Sequence, residues 1–120
     1  MNRGIYFLLI NLFIMGCNKD CISFKANNGQ IYGIDVSHYQ STVEKIDWKK
    51  VASNTDPKIE FAYIRSTMGN NGVDTAFNYN FKNAQANGIA VGVYHYFRPN
   101  ETALDQIHNF FENNINIGSL

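Results

Sequence analysis

The stretch Ile31–Gln40, IYGIDVSHYQ, decides how the rest of the chain is read. It opens as an apolar, β-forming run, and a carboxylate, Asp35, stands inside it. Ser37, His38, Tyr39 and Gln40 follow at once. A carboxylate in so strand-like a run is either a satisfied group bonding backbone amides, or the first residue of a site where the strand ends. Two further runs of the same kind follow: KIEFAYIRST from Lys58 and IAVGVYHYF from Ile89.

Helical patterns alternate with these strands. IDWKKVASN, from Ile46, predicts a short helix capped by Asp47, with Trp48, Val51 and Ala52 on one face. DTAFNYNFKNAQANG predicts a second helix capped by Asp74, with Phe77, Phe81 and Ala84 in a row and Gly88 as its stop. NETALDQIHNFFENN predicts a third, with Ala103, Ile107, Phe110 and Asn114 in its repeating row, Leu104 and Phe111 beside them, and His108 at the edge of its solvent face. The order is β-α-β-α-β-α. Strands joined through helices run parallel with right-handed crossovers. The fold class is therefore α/β, either a doubly wound sheet or a (β/α) barrel. IDVSHYQ holds no glycine, so the phosphate loop of a nucleotide-binding sheet is missing after strand one. A full barrel takes roughly 250 residues. With 120 residues ending after the third unit, the sequence reads as the first part of something larger.

Ten basic and ten acidic residues give a net charge of +0, so no basic patch is expected and no nucleic acid partner. Aromatic residues make up 14% of the chain, which fits a packed domain and equally a sugar-binding surface. No cofactor is implied. Cys17 and Cys21 lie four apart with no Cys or His beside them, which is not a metal pattern. Cys21 reads as an unpaired thiol, bridged to Cys17 only if Cys17 is not lipidated.

Residues 1–16 read as a signal peptide: Arg3, then an apolar run from Gly4 to Gly16 broken only by Asn11. The run is shorter than the roughly 20 residues of a spanning helix. Its IMGC ending resembles a bacterial lipobox, which predicts cleavage before Cys17 and lipid on Cys17. Each buried acyl CH₂ adds roughly 0.8 kcal/mol of anchoring. The expectation is an exported, membrane-anchored lipoprotein of the bacterial cell envelope, or a secreted protein if an ordinary signal peptide is cut elsewhere. Residues 17–30 form a polar tether and residues 31–120 the domain.

In α/β folds, ligand sites lie beyond the C-terminal ends of the strands. Those ends carry Asp35 to Gln40, then Arg65 to Met68, then Tyr94 to Arg98. A carboxylate among tyrosines, a histidine and arginines suits a sugar, because aromatic faces stack on pyranose rings and polar groups fix the hydroxyls. Alternation puts Gly92, Tyr94 and Tyr96 on one face and Val93, His95 and Phe97 on the other, so Tyr94 is expected to line the pocket. Tyr94, Tyr96, Arg65 and Gln40 are the candidate substrate-binding residues. Arg65 is also a candidate ion-pair partner of Asp35. His38 and Tyr39 read as loop residues near the cleft, Trp48 as core, and Tyr79 as part of a solvated helix surface.

In order along the chain, GIDVSHYQ, IDWKKV, FAYIRSTMG and DTAFNYNFKNAQANGIAVGVYHYF resemble the N-terminal part of a glycoside hydrolase family 25 lysozyme. The family pattern runs G-x-D-V-S-x-x-Q, I-D-W-x-x-V, a basic residue before A-T-E-G, D-x-x-F-x-x-N-x-x-x-A-x-x-x-G and G-x-Y-H-F. The resemblance covers about Tyr32 to Arg98. It implies an irregular (β/α) barrel, with this α/β chain as the first three βα units of a TIM-like barrel truncated before strand four, and a secreted muramidase that cuts peptidoglycan between N-acetylmuramic acid and N-acetylglucosamine. It implies that Asp35 is the first active-site acid, holding sugar and water without being the proton donor. The family's Asp-x-Glu pair, which includes the donor, belongs at the end of strand four, and no D-x-E occurs in these 120 residues. Met68 stands where the family often has Glu. Asp74 and Glu101 lie on the correct side, but Asp74 reads as a helix cap and Glu101 as a first-turn acid favoured by the macrodipole. The alternative to an enzyme is a catalytically inactive lipoprotein fragment that at most binds glycan.

Overall fold

The structure, a computed structural model, describes residues 29–114. The signal peptide, the Cys17 anchor and nearly all of the expected tether lie outside those residues. No helix among the described residues is long and apolar enough to cross a membrane.

Three parallel strands form the sheet: β1 (Tyr32–Val36), β2 (Ile59–Met68) and β4 (Ala90–Tyr96). β2 is central, pairing with β1 on one side and β4 on the other. α1 (Trp48–Ser53) connects β1 to β2, and α2 (Phe77–Ala86) connects β2 to β4. α3 (Ala103–Asn114) follows. One element was not foreseen. A two-residue strand, β3 (Gly72–Val73), turns back antiparallel on Thr67 and Met68. Gly69 makes that turn at φ 56°, a left-handed conformation that favours glycine.

Alternation along the strands divides the sheet into two faces. Ile34, Val36, Ala62, Ile64, Val91 and Val93 pack with Trp48, Phe77, Phe81, Ala84 and Ile89 on the helix side. The expected faces of α1 and α2 are thus the ones that pack. Asp47 caps α1, accepting the Lys50 amide at 3.0 Å. The indole Nε1 of Trp48 donates to Asn80 Oδ1 at 3.1 Å, deep in this core. Tyr79 departs from the solvated role expected of it: it packs against the core and its hydroxyl donates to the Ile46 carbonyl at 3.0 Å.

Two helix starts differ from expectation. α2 begins at Phe77, and its cap position, Ala76, has no side-chain bond. Asp74 instead accepts the Ala76 amide at 3.0 Å, in a turn that leads into the helix, and its other oxygen is bound elsewhere. α3 begins at Ala103, so Glu101 precedes the helix rather than lying in its first turn.

The packed face of α3 also differs. Gln106 and Asn109 are buried, while Leu104, Ile107 and Phe111 are more than half exposed. The reason is hydrogen bonding. Asn109 Nδ2 reaches the carbonyls of Met68, Gly69 and Gly72 at 3.3, 2.9 and 3.1 Å. Gln106 Nε2 donates to the carbonyls of Arg98 and Glu101, and its Oε1 accepts the Arg98 amide at 2.8 Å. Buried loop backbone needs partners, and α3 supplies them from its polar side.

Candidate functional site

The face of the sheet turned away from the helices carries the site. Its rows run Gly33 beside Phe61, then Asp35, Tyr63 and Gly92, then Arg65 beside Tyr94. A bulge at Ser66 shifts the register before Met68 pairs with Tyr96. The middle rings lie flat across the neighbouring strands. A Cβ on Gly33 would meet the Phe61 ring at 2.2 Å, and one on Gly92 would meet the Tyr63 ring at 2.6 Å. Both glycines are therefore required by close approach.

Asp35 is exposed on this face and has no hydrogen bond or ion pair among the described residues. The reading of Asp35 as a satisfied backbone-bonding group therefore fails. Arg65 is not its ion-pair partner either. Arg65 Nε donates to Asp74 Oδ2 at 2.8 Å, with the two side chains 5% and 0% exposed. The physical cause is the β3 hairpin. It returns the chain along the end of β2, where the Asp74 amide donates to the Ser66 carbonyl at 2.8 Å and sets the carboxylate beside Arg65. Burial works against the charged form of Asp74. The amides of His38 and Ala76 and the side chain of Arg65 outweigh it and hold the carboxyl below its ordinary range.

The guanidinium lies 5.3 Å from the Tyr39 ring centroid and 6.0 Å from that of Tyr96, both within cation–π range. Both rings are more than half exposed. Tyr94 sits within the fields of Arg65, Asp35 and Asp74. Burial raises its hydroxyl pKa, Arg65 opposes that rise, and the two carboxylates add to it. Tyr94 thus stays a neutral hydroxyl that can donate or accept. His95 is on the other face, as alternation requires: its Nδ1 meets Thr67 Oγ1 at 2.8 Å and its Nε2 meets Gln106 Oε1 at 3.2 Å.

Gln40 has a different position from the one expected. Its Oε1 accepts the Ser37 amide at 2.8 Å, while Ser37 Oγ accepts the Tyr39 amide at 3.4 Å. The S-x-x-Q of IYGIDVSHYQ is a reciprocal capping box on the 3₁₀ turn His38–Ser41. Gln40 therefore keeps only its amide N–H₂ for a ligand. Sequence reasoning missed this, although Ser followed three residues later by Gln is its written signature.

Among the other carboxylates, Glu101 accepts the Asn70 amide and Arg98 Nη1, the latter at 3.1 Å. The Asn70 amide is the main cause of its lowered pKa, with Arg98 assisting against burial. Glu101 and Asp74 are both stabilised as anions, and neither is prepared to deliver a proton near neutral pH.

Comparison with known proteins agrees with this architecture. A family model described as "Glycosyl hydrolases family 25" matches residues 34–119. "Uncharacterized protein YegX" of Escherichia coli (strain K12) is 40% identical over 84 residues, 68% of this chain and 30% of that protein. "Lysozyme M1" of Streptomyces globisporus is 38% identical over 89 residues, 74% of this chain and 28% of the relative. The solved structure of a family 25 glycosyl hydrolase from Bacillus anthracis superimposes with a TM-score of 0.61 at 31% identity, over 75% of this chain and 39% of that one. The chain spans less than a third of the length of the curated relatives it matches. With the parallel strands, the ordered motifs and the family match in agreement, the chain belongs to glycosyl hydrolase family 25.

Proposed function

We propose that this chain carries the Asp35 side of a lysozyme-type site that hydrolyses peptidoglycan between N-acetylmuramic acid and N-acetylglucosamine. The observation that carries the reading is the contrast between two carboxylates. Asp74 is buried and neutralises Arg65, whereas Asp35, one row away on the same sheet, is exposed and unpartnered among the described residues. An unpaired carboxylate on a rigid strand is available to a sugar hydroxyl or to water. Beyond β2, on β4, Tyr94 offers a hydroxyl and Tyr96 an exposed ring, with Arg65 paired beside Tyr94. In the complete enzyme the three parallel strands are the opening of a (β/α) barrel.

Glycosidic cleavage needs an acid to protonate the leaving oxygen and a second group at the anomeric centre. Asp35 serves the second centre by holding sugar and water. The proton donor is the Glu of the family's Asp-x-Glu, which these 120 residues do not contain. General acid catalysis contributes about 10²–10⁴-fold. The 120-residue chain is therefore expected to bind glycan and not to cleave it. Anchoring through lipid on Cys17, after export, is part of the same proposal. Labelled palmitate incorporated by the wild type and lost in Cys17→Ser would support it; equal labelling would refute it.

Co-sedimentation of the full chain with insoluble peptidoglycan tests the reading. The wild type is expected to pellet with the sacculi and Asp35→Asn to pellet less. New reducing ends that disappear with Asp35→Asn would show that the 120 residues are catalytic by themselves, against this account.

A further inference from the structure

His38 faces two partners with one nitrogen. Its Nδ1 lies 2.5 Å from Arg65 Nη2 and 3.2 Å from Asp74 Oδ2. These contacts make opposite demands. To bond Asp74, Nδ1 must carry a hydrogen; to bond Arg65, it must offer a lone pair. The guanidinium does not lose its proton in a protein, so at the shorter contact Arg65 is the donor. Asp74 Oδ2 has less need of the imidazole, since it already accepts Arg65 Nε at 2.8 Å and the His38 amide at 3.0 Å. Arg65 is itself immovable, buried and bound to Asp74. A lone pair on Nδ1 leaves the imidazole one place for a proton, Nε2.

We infer that the Arg65–Asp74 pair fixes the His38 tautomer, with Nδ1 accepting from Arg65 and the hydrogen on Nε2, and that this N–H donates to an oxygen of the bound glycan. This rests on the glycan reading above. The ring is 27% exposed, stacks against Tyr39 with centroids 4.1 Å apart, and lines a hollow between the end of the 3₁₀ turn with the loop after it (Ser41, Thr42, Lys45) and the start of α2 (Thr75, Ala76, Tyr79). Nδ1 is turned inward, which leaves Nε2 for the solvent side. A sugar offers acceptors there in its hydroxyls and acetamido carbonyl. His38 is thus a substrate-positioning donor, and in this state it does not replace the missing general acid. Asp74 and Arg65 are positioning residues that act through it.

Long-range ¹H–¹⁵N correlation on the labelled full chain at pH 7 reads the tautomer directly, with the His38 signals assigned by their loss in His38→Gln. His38 is expected to show a pyridine-type Nδ1 and a pyrrole-type Nε2 in the free protein. Chitotetraose is then titrated in. The Nε2–H signal is expected to move with saturation. His38→Gln, which keeps a side-chain N–H, should bind within about twofold of wild type, and His38→Phe about fivefold more weakly, the size of one neutral hydrogen bond. A hydrogen on Nδ1 in the free protein overturns the lock. Saturable binding with wild-type affinity in His38→Phe overturns the donor role while leaving the glycan reading intact. If chitotetraose moves no signal at Asp35, Arg65 or Tyr94, the glycan reading fails and takes the donor role with it, but the tautomer still decides the lock.

Discussion

α2 and α3 present similar apolar repeats and pack in opposite ways. α2 buries Phe77, Phe81 and Ala84 against the sheet. α3 buries Gln106 and Asn109 and leaves Leu104, Ile107 and Phe111 outside. The difference lies in what each helix covers. α2 lies over the apolar middle of β2 and β4, where β2 is paired to a strand on each side and no turn carbonyl needs a donor from the helix. α3 lies over the strand ends, where turn and loop carbonyls of Met68, Gly69, Gly72, Arg98 and Glu101 need donors. Near a site, backbone satisfaction overrides hydrophobic periodicity.

Single substitutions in and beside the two helices test this difference, and urea unfolding of the full chain reads all of them. Phe81→Ala in α2 should cost about 3–5 kcal/mol, because a packed ring leaves a cavity. Asp74→Asn, at the entry to α2, should cost about 3–5 kcal/mol at neutral pH by leaving the buried Arg65 charge uncompensated. Its sign with pH follows from the lowered Asp74 pKa. The carboxylate's contribution is full above the unfolded value near about 3.9 and fades as pH falls through the lower folded value. The gap between wild type and Asp74→Asn should therefore narrow in acid; a gap that widens would contradict the assignment. Asn109→Ala in α3 should cost about 1–3 kcal/mol through orphaned carbonyls. Ile107→Ser on the same helix should change stability by no more than about 0.5 kcal/mol. If Ile107→Ser proves the more damaging of these two, α3 packs by its apolar face and the contrast is wrong.

Much of this was readable from residue order. The parallel strands follow from alternating apolar runs and helical repeats, and Asp47, Trp48, Phe81 and Gly88 hold the places their residue types suggest. Tyr94 facing Arg65 and His95 facing α3 follow from strand alternation alone. Other features depend on contacts that a local pattern does not express. Asp74 looked like a cap for α2 because Asp before a helical row usually is one; only the β3 hairpin brings it under Arg65. The Asn80 of F-x-x-N carries no local sign that it will accept from Trp48, 32 positions away. The polar packing of α3 could not be read from its repeat, because a periodicity argument assumes that the apolar side goes inward. The capping box of Ser37 and Gln40, by contrast, has a purely local signature, Ser followed three residues later by Gln.

On the proposed reading, the ends of β1, β2 and β4 form one glycan site around the Asp35 carboxylate. Backbone chemical-shift mapping of the labelled full chain during chitotetraose titration tests it most directly. Saturable shifts grouped at Asp35, Arg65, Tyr94 and Tyr96 are expected, with affinity lowered in Asp35→Asn. Shifts confined to α1 or α2, or an unchanged affinity in Asp35→Asn, would contradict it.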